Sequence, residues 1–137
     1  AEAMAFYAQV FQGTIVHQST FGEMPPDPNM PPLPESAMGR IMHAHLQFGH
    51  NNIMASDSFP SIPGMDEQAC VGGYQKPQGL WVSIGVDNAA EGQRIFDALA
   101  EGGTIAMPYA ATSRSEGFGM VTDRFATPWM VNVASAE

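Results

Sequence analysis

Three of the four histidines of the chain fall within "GRIMHAHLQFGH", residues 39–50. His43 and His45 are separated by one residue, which on a β-strand puts both imidazoles on one face. Neutral imidazole is a common ligand for borderline divalent ions, so the pair first raises a metal question. The same alternation sets Gln47 beside the pair and Ala44, Leu46 and Phe48 on the reverse side. The apolar side should pack on helices, and the polar side should face a cavity or water. The sequence supplies no evident third ligand: His17 is distant along the chain, His50 belongs to a turn, and Asp57 should point the opposite way from Met54. Two readings of the pair stand. The rings either ligate a metal or form hydrogen bonds in a polar-lined site. Other chemistries find no motif. There is no G-x-S-x-G nucleophile turn and no G-x-x-x-x-G-K phosphate loop. Cys70 has no basic neighbour to activate its thiol, so no nucleophile is assigned to it.

The elements that must position these residues follow from patterning. "AEAMAFYAQVFQG" reads as an amphipathic helix with Ala3, Phe6, Tyr7 and Val10 on one face and Gly13 placed to end it. The chain thus opens on a helix, with neither an initiator methionine nor a leading strand, and an N-terminal piece is expected to precede it. "TIVHQSTF" (14–21) reads as a strand. Residues 22–39 carry six prolines, which excludes a helix or a central strand and predicts a long loop, either a plain surface loop or a rim over a site. "RIMHAHLQF" and "NNIMASDSF" predict a hairpin turning at "GHNN". Residues 60–79, with three prolines and four glycines, read as a linker. "LWVSIGV" is a strand, and "DNAAEGQRIFDALAEGG" is a helix with an Asn88/Glu91 capping box and Gly102 as its stop. "GTIAMPYA" is a further strand or a strand plus loop, and "FGMVTD" with "TPWMVNVA" form a closing hairpin around "RFA".

This order repeats. Ala1-Glu2 with Phe6-Tyr7 matches Ala90-Glu91 with Ile95-Phe96, and Gly13-Thr14-Ile15 matches Gly103-Thr104-Ile105. The halves read as two βαβββ units, spanning 1–59 and 80–137, the first without its first strand.

Composition narrows the function classes. A length of 137 residues suits one domain with one sizeable core. Fourteen Asp+Glu stand against five scattered Lys+Arg, a balance that argues against nucleic acid or an anionic membrane as partner. No apolar run approaches the roughly 18 residues of a membrane span. One cysteine, ten methionines and no signal peptide suit the cytosol.

With these pieces in view, "AEAMAFYAQVFQG", "FGEMP", "MHAHL", "IMASDSFP", "VDNAAEGQRIFDALAEGG" and "GFGMVTDRFATPWMVNV" resemble the vicinal oxygen chelate superfamily, which includes glyoxalase I, antibiotic-resistance proteins and extradiol dioxygenases. The resemblance is nearest to its PhnB-like branch, often labelled 3-demethylubiquinone methyltransferase, and spans nearly the whole chain. It implies an α+β fold of two curved mixed sheets, with helices on the convex face and a ligand or metal on the concave face. It also implies homodimers whose sites are often completed across the interface.

Glyoxalase-type members hold one divalent ion with His, Glu or Gln from the first and last strands of each unit. Carried onto this sequence, the first position falls on the absent strand. The others fall on Trp81, Met130 and Met54, with Ser56 next on the face of Met54. Indole and thioether are poor ligands for a hard divalent ion, so the usual metal is expected to be absent and no cofactor is predicted. Trp81, Met54, Met130 and Phe118 would form an apolar floor or an ordinary core, and Ser56, Ser83 and Asn132 would be the polar groups among them. Glu23 stands at the mouth of the proline-rich loop, either reaching in or simply exposed, and Trp129 should be core. The leading expectation is a metal-free member that binds a small, partly apolar organic molecule. A metal-dependent lyase, isomerase or dioxygenase using His43 and His45 is the alternative. The methyltransferase label fits poorly, because neither a Rossmann series nor a glycine-rich S-adenosylmethionine loop is present.

Overall fold

The computed structural model describes residues 1–25, 28, 32–58 and 76–133. The fold is mixed α+β, in two compact units, Ala1–Gln75 and Lys76–Glu137. Most of the 60–79 linker, together with Phe59 and Cys70, lies outside the described residues.

In the first unit, helix α1 (Glu2–Val10) buries Met4, Phe6, Tyr7 and Val10. Strands β1 (Thr14–Thr20), β2 (Ile41–Phe48) and β3 (Asn51–Ala55) form an antiparallel sheet in that order. Ala44 and Leu46 are fully buried on the side of β2 that faces α1, where the Phe11 ring stacks on Phe48 at 4.9 Å. The hairpin turn falls where expected, with Gly49 at a φ of 53°. Gly13, by contrast, is not the left-handed stop of α1. Gln12 takes that conformation, at a φ of 51°. Gly13 is small for another reason: a Cβ there would stand 2.7 Å from the Gln47 carbonyl oxygen of β2. The proline-rich stretch is also less irregular than its composition suggests. A 3-10 turn (Phe21–Glu23) opens it, and a one-turn helix, α2 (Glu35–Met38), follows Pro34. Proline is excluded from helix interiors but tolerated at their start, so a short helix can form after the last of the six.

In the second unit, strands β4 (Val82–Val86), β5 (Thr104–Ala110), β6 (Phe118–Thr122) and β7 (Pro128–Val133) form a sheet of order β4-β7-β6-β5. Strands β4 and β7 are parallel and the other pairs antiparallel. The crossover helix α3 (Ala89–Ala100) is capped by Asn88, whose side chain accepts from the Glu91 amide at 2.9 Å. The reciprocal half of the capping box is missing, because the Glu91 carboxylate turns instead to Arg94, at 2.6 Å. Gly102 ends the helix at a φ of 73°, as expected. Ile95, Phe96 and Leu99 of α3 are buried, as are Val121, Trp129, Val131 and Val133 of the sheet. Trp129 is therefore core. Gly119 admits the Phe96 ring, which would lie 2.6 Å from any Cβ.

The duplication holds at the level of register. Gly103 lies against the Thr122 carbonyl as Gly13 lies against that of Gln47. Thr14 pairs with Gln47 and Thr104 with Thr122, and both first pairings then slip by one residue, after Ile15 and after Ile105. His17 opposite His45 in the first unit thus corresponds to Met107 opposite Met120 in the second. Likewise, Met54 opposite His45 corresponds to Met130 opposite Met120.

Candidate functional site

Each sheet buries one face under its helix and leaves the other open. On the first sheet the open face carries three rows. Ser19 stands opposite His43. His17, His45 and Met54 share the next row, and Thr14, Gln47 and Asn52 the third. His43 and His45 are half-buried, His17 is exposed, and the His17 and His43 rings lie 5.7 Å apart between centroids. His45 Nε2 is within hydrogen-bond distance of Asn52 Oδ1, at 2.8 Å. The separation in sequence between His17 and the His43/His45 pair therefore vanishes in the fold. His50 is exposed in the turn.

Met54 is 67% exposed, so it is not a core residue. Ser56 lies beyond the end of β3, exposed, with its hydroxyl 3.5 Å from the Asp57 carbonyl. Asp57 is turned to the backbone, its carboxylate accepting from the Ile41 amide at 2.8 Å. Glu23 is likewise committed locally. Its carboxylate accepts from the Thr20 amide at 2.6 Å and from Thr20 Oγ1 at 3.0 Å. The Thr20 amide bond holds its pKa below the ordinary 4.5, the hydroxyl bond adds to this, and the charge of nearby His17 adds a smaller part. Because the folded value is depressed, this contribution to folding is present above 4.5 and is lost as the pH falls through the folded value. In an NMR titration the Thr20 amide should follow Glu23 with a midpoint below 4.5, and Thr20→Val should move that midpoint upward. A midpoint at or above 4.5 in the unaltered chain would contradict the arrangement.

On the second sheet the register aligns Ser83, Met130, Met120 and Met107 across the open face, and Gly85, Asn132, Phe118 and Ala110 in the next row. Met130, Asn132, Phe118 and Met120 are half-buried, Ser83 is exposed, and Met107 is 46% exposed. Trp81 stands just before β4, two residues from Ser83, and is half-buried. Sequence reasoning placed Ser83, Met130, Asn132 and Phe118 together but missed Met107 and Met120, which only the pairing of β5 with β6 brings alongside.

It also missed Asp123. This carboxylate is 4% exposed and organises the turn between β6 and β7. Oδ1 accepts from the Phe125 and Thr127 amides at 2.8 and 2.9 Å, and Oδ2 accepts from the Trp129 indole at 2.8 Å. An aspartate at the head of a turn was the available signal.

The residues at the glyoxalase-type ligand positions do not fit a divalent ion. Met54 and Met130 occupy equivalent registers in the two units and offer thioethers, and Trp81 offers an indole. Among the described residues, no three His, Cys, Asp or Glu side chains come together to hold a metal.

No family model matches the chain. Among proteins of known structure, PA1353 of Pseudomonas aeruginosa is 38% identical, with a TM-score of 0.78 over 98% of this chain and 89% of that one. A PhnB protein of Bacillus cereus, described as a candidate 3-demethylubiquinone-9 3-methyltransferase, is 25% identical, with a TM-score of 0.66 over 97% of this chain and 89% of that one. Protein YjdN of Escherichia coli is 31% identical over 145 residues, covering all of this chain and 89% of YjdN. The chain belongs to the PhnB-like branch of the vicinal oxygen chelate superfamily. Within that PhnB-like frame the two open faces differ in chemistry. The first presents imidazoles and carboxamides beside the Met54 thioether, and the second presents three thioethers and one aromatic ring beside Ser83 and Asn132. Among the described residues, no helix of this PhnB-like chain is long and apolar enough to cross a membrane.

Proposed function

We propose that this PhnB-like protein binds a small, partly apolar organic molecule on the open faces of its sheets, without the resident divalent ion of glyoxalase-type relatives. The observation that carries the reading is the replacement of the visible ligand positions by Met54, Trp81 and Met130, the two methionines standing in equivalent registers. Thioethers and indole suit adaptable apolar contact rather than ligation of a hard cation. On the first face His43 and His45, with Ser56 and Glu23 at the margins, and on the second face Ser83 and Asn132, supply the few polar groups that would orient such a ligand. The reading includes a cytosolic homodimer and leaves open whether a reaction follows binding. The metal-dependent lyase, isomerase or dioxygenase alternative is disfavoured by the same replacements, and methyl transfer by the lack of a nucleotide-type βαβ series.

Screening small aromatic and aliphatic compounds by thermal shift tests the binding claim. A hit should raise the midpoint and change the emission of Trp81, one of two tryptophans. Met54→Glu should weaken a hit on the first sheet, and Met130→Glu a hit on the second, at least tenfold while the unliganded chain stays folded. Hits indifferent to both substitutions would remove these faces from the site.

A further inference from the structure

The geometry points to a reversible site for a borderline first-row divalent ion, such as Zn²⁺, held by His17 and His43 on the open face of the first sheet. This is not the position of the glyoxalase-type ion, whose ligands come from the first and last strands of a unit; His17 lies on β1 and His43 on β2.

Two imidazoles sharing one ion through metal–nitrogen bonds of about 2.0–2.1 Å have ring centres roughly 5–6.4 Å apart. The His17 and His43 centroids are 5.7 Å apart, inside that range. Their rings are inclined by 37°, and His17 is exposed, so an ion can reach the pair from solvent. Ser19, in register with His43, has a buried Oγ with no hydrogen-bond partner among the described residues. His45, with Nε2 committed to Asn52, is a neighbouring imidazole and not a required ligand. Two protein ligands leave the remaining coordination positions open. Such an ion is held weakly, exchanges off during purification, and selects for imidazole-loving ions over Mg²⁺ and Ca²⁺.

This inference stands apart from the organic-ligand reading, because a weakly held ion does not survive gel filtration and needs none of Met54, Trp81 or Met130. The test is calorimetric titration of the chelator-treated chain with ZnCl₂ at pH 7.5, with 5 mM MgCl₂ present. One site per chain is expected, weakened at least tenfold by His17→Ala and by His43→Ala and less than twofold by His50→Ala. Circular dichroism of the variants reports folding, and ring-nitrogen NMR of the unaltered chain gives a second readout, in which Zn²⁺ should shift His17 and His43 and leave His50 unmoved. Zinc binding that Mg²⁺ displaces, that persists in both variants, or that leaves the His17 and His43 resonances unchanged would overturn the site.

Discussion

Asp123→Ala is expected to lower the unfolding free energy by about 3 kcal/mol, because a buried acceptor is removed and its donors stay behind. The carboxylate receives the Phe125 amide, the Thr127 amide and the Trp129 indole, at 2.8, 2.9 and 2.8 Å. Trp129 is 3% exposed, so its N–H cannot turn to bulk water without opening the core under α3. The turn also holds Ala126 at a φ of 67°, a conformation that a residue with a Cβ adopts only when its surroundings enforce it. For a chain of this size a loss of that order is roughly a 10 °C fall in the thermal midpoint. Asp123→Asn keeps an acceptor for the two amides and should lose less than Asp123→Ala. A midpoint for Asp123→Ala within 2 °C of the unaltered chain would mean that the turn is held by other contacts.

Leu46→Ala is expected to cost a similar amount, about 3 kcal/mol, by a different route: lost transfer energy plus an unfilled cavity. Leu46 is completely buried beneath α1 and sits between His45 and Gln47 on β2. Its side chain fixes which way the strand faces, since a one-residue slip would bury the imidazoles and expose Ala44 and Leu46. Urea denaturation reads the loss. Histidine NMR reads the second consequence, broadening of the His43 and His45 ring signals. A loss under 1 kcal/mol with unchanged ring signals would place the core of this unit elsewhere.

Patterning captured elements whose determinants are local. Asn88 and Gly102 bracket α3, and alternation in "MHAHLQF" correctly sends Ala44, Leu46 and Phe48 to the helix side. Local signals misled where one residue had two possible duties. Gly13 was read as a helix stop, yet its smallness serves the close approach of β2, and Glu91 exchanged its capping role for Arg94. The six prolines hid α2, which forms just after Pro34, the last of them. The register of strands joined by long or bulged connections was not legible. Strands β1 and β2 are joined by a long connection rather than a tight turn, so nothing local predicts that His17 opposes His45 and touches His43. Met107 and Met120 were missed for the same reason: their alignment passes through a bulge between Ile105 and Met107. The resemblance, in turn, gave the fold and the positions at which to look for a metal. The register then showed that two of those positions, Met54 and Met130, are true equivalents.

The measurement that bears most directly on a PhnB-like chain without a resident metal is elemental analysis by inductively coupled plasma mass spectrometry. The protein is purified without chelators and passed through gel filtration. With Met54, Trp81 and Met130 at the ligand positions, each divalent metal should be found at well under 0.1 equivalent per chain, on the order of background for a protein whose usual ligands are replaced. About one equivalent of zinc, nickel, iron or manganese retained through that step would contradict the account.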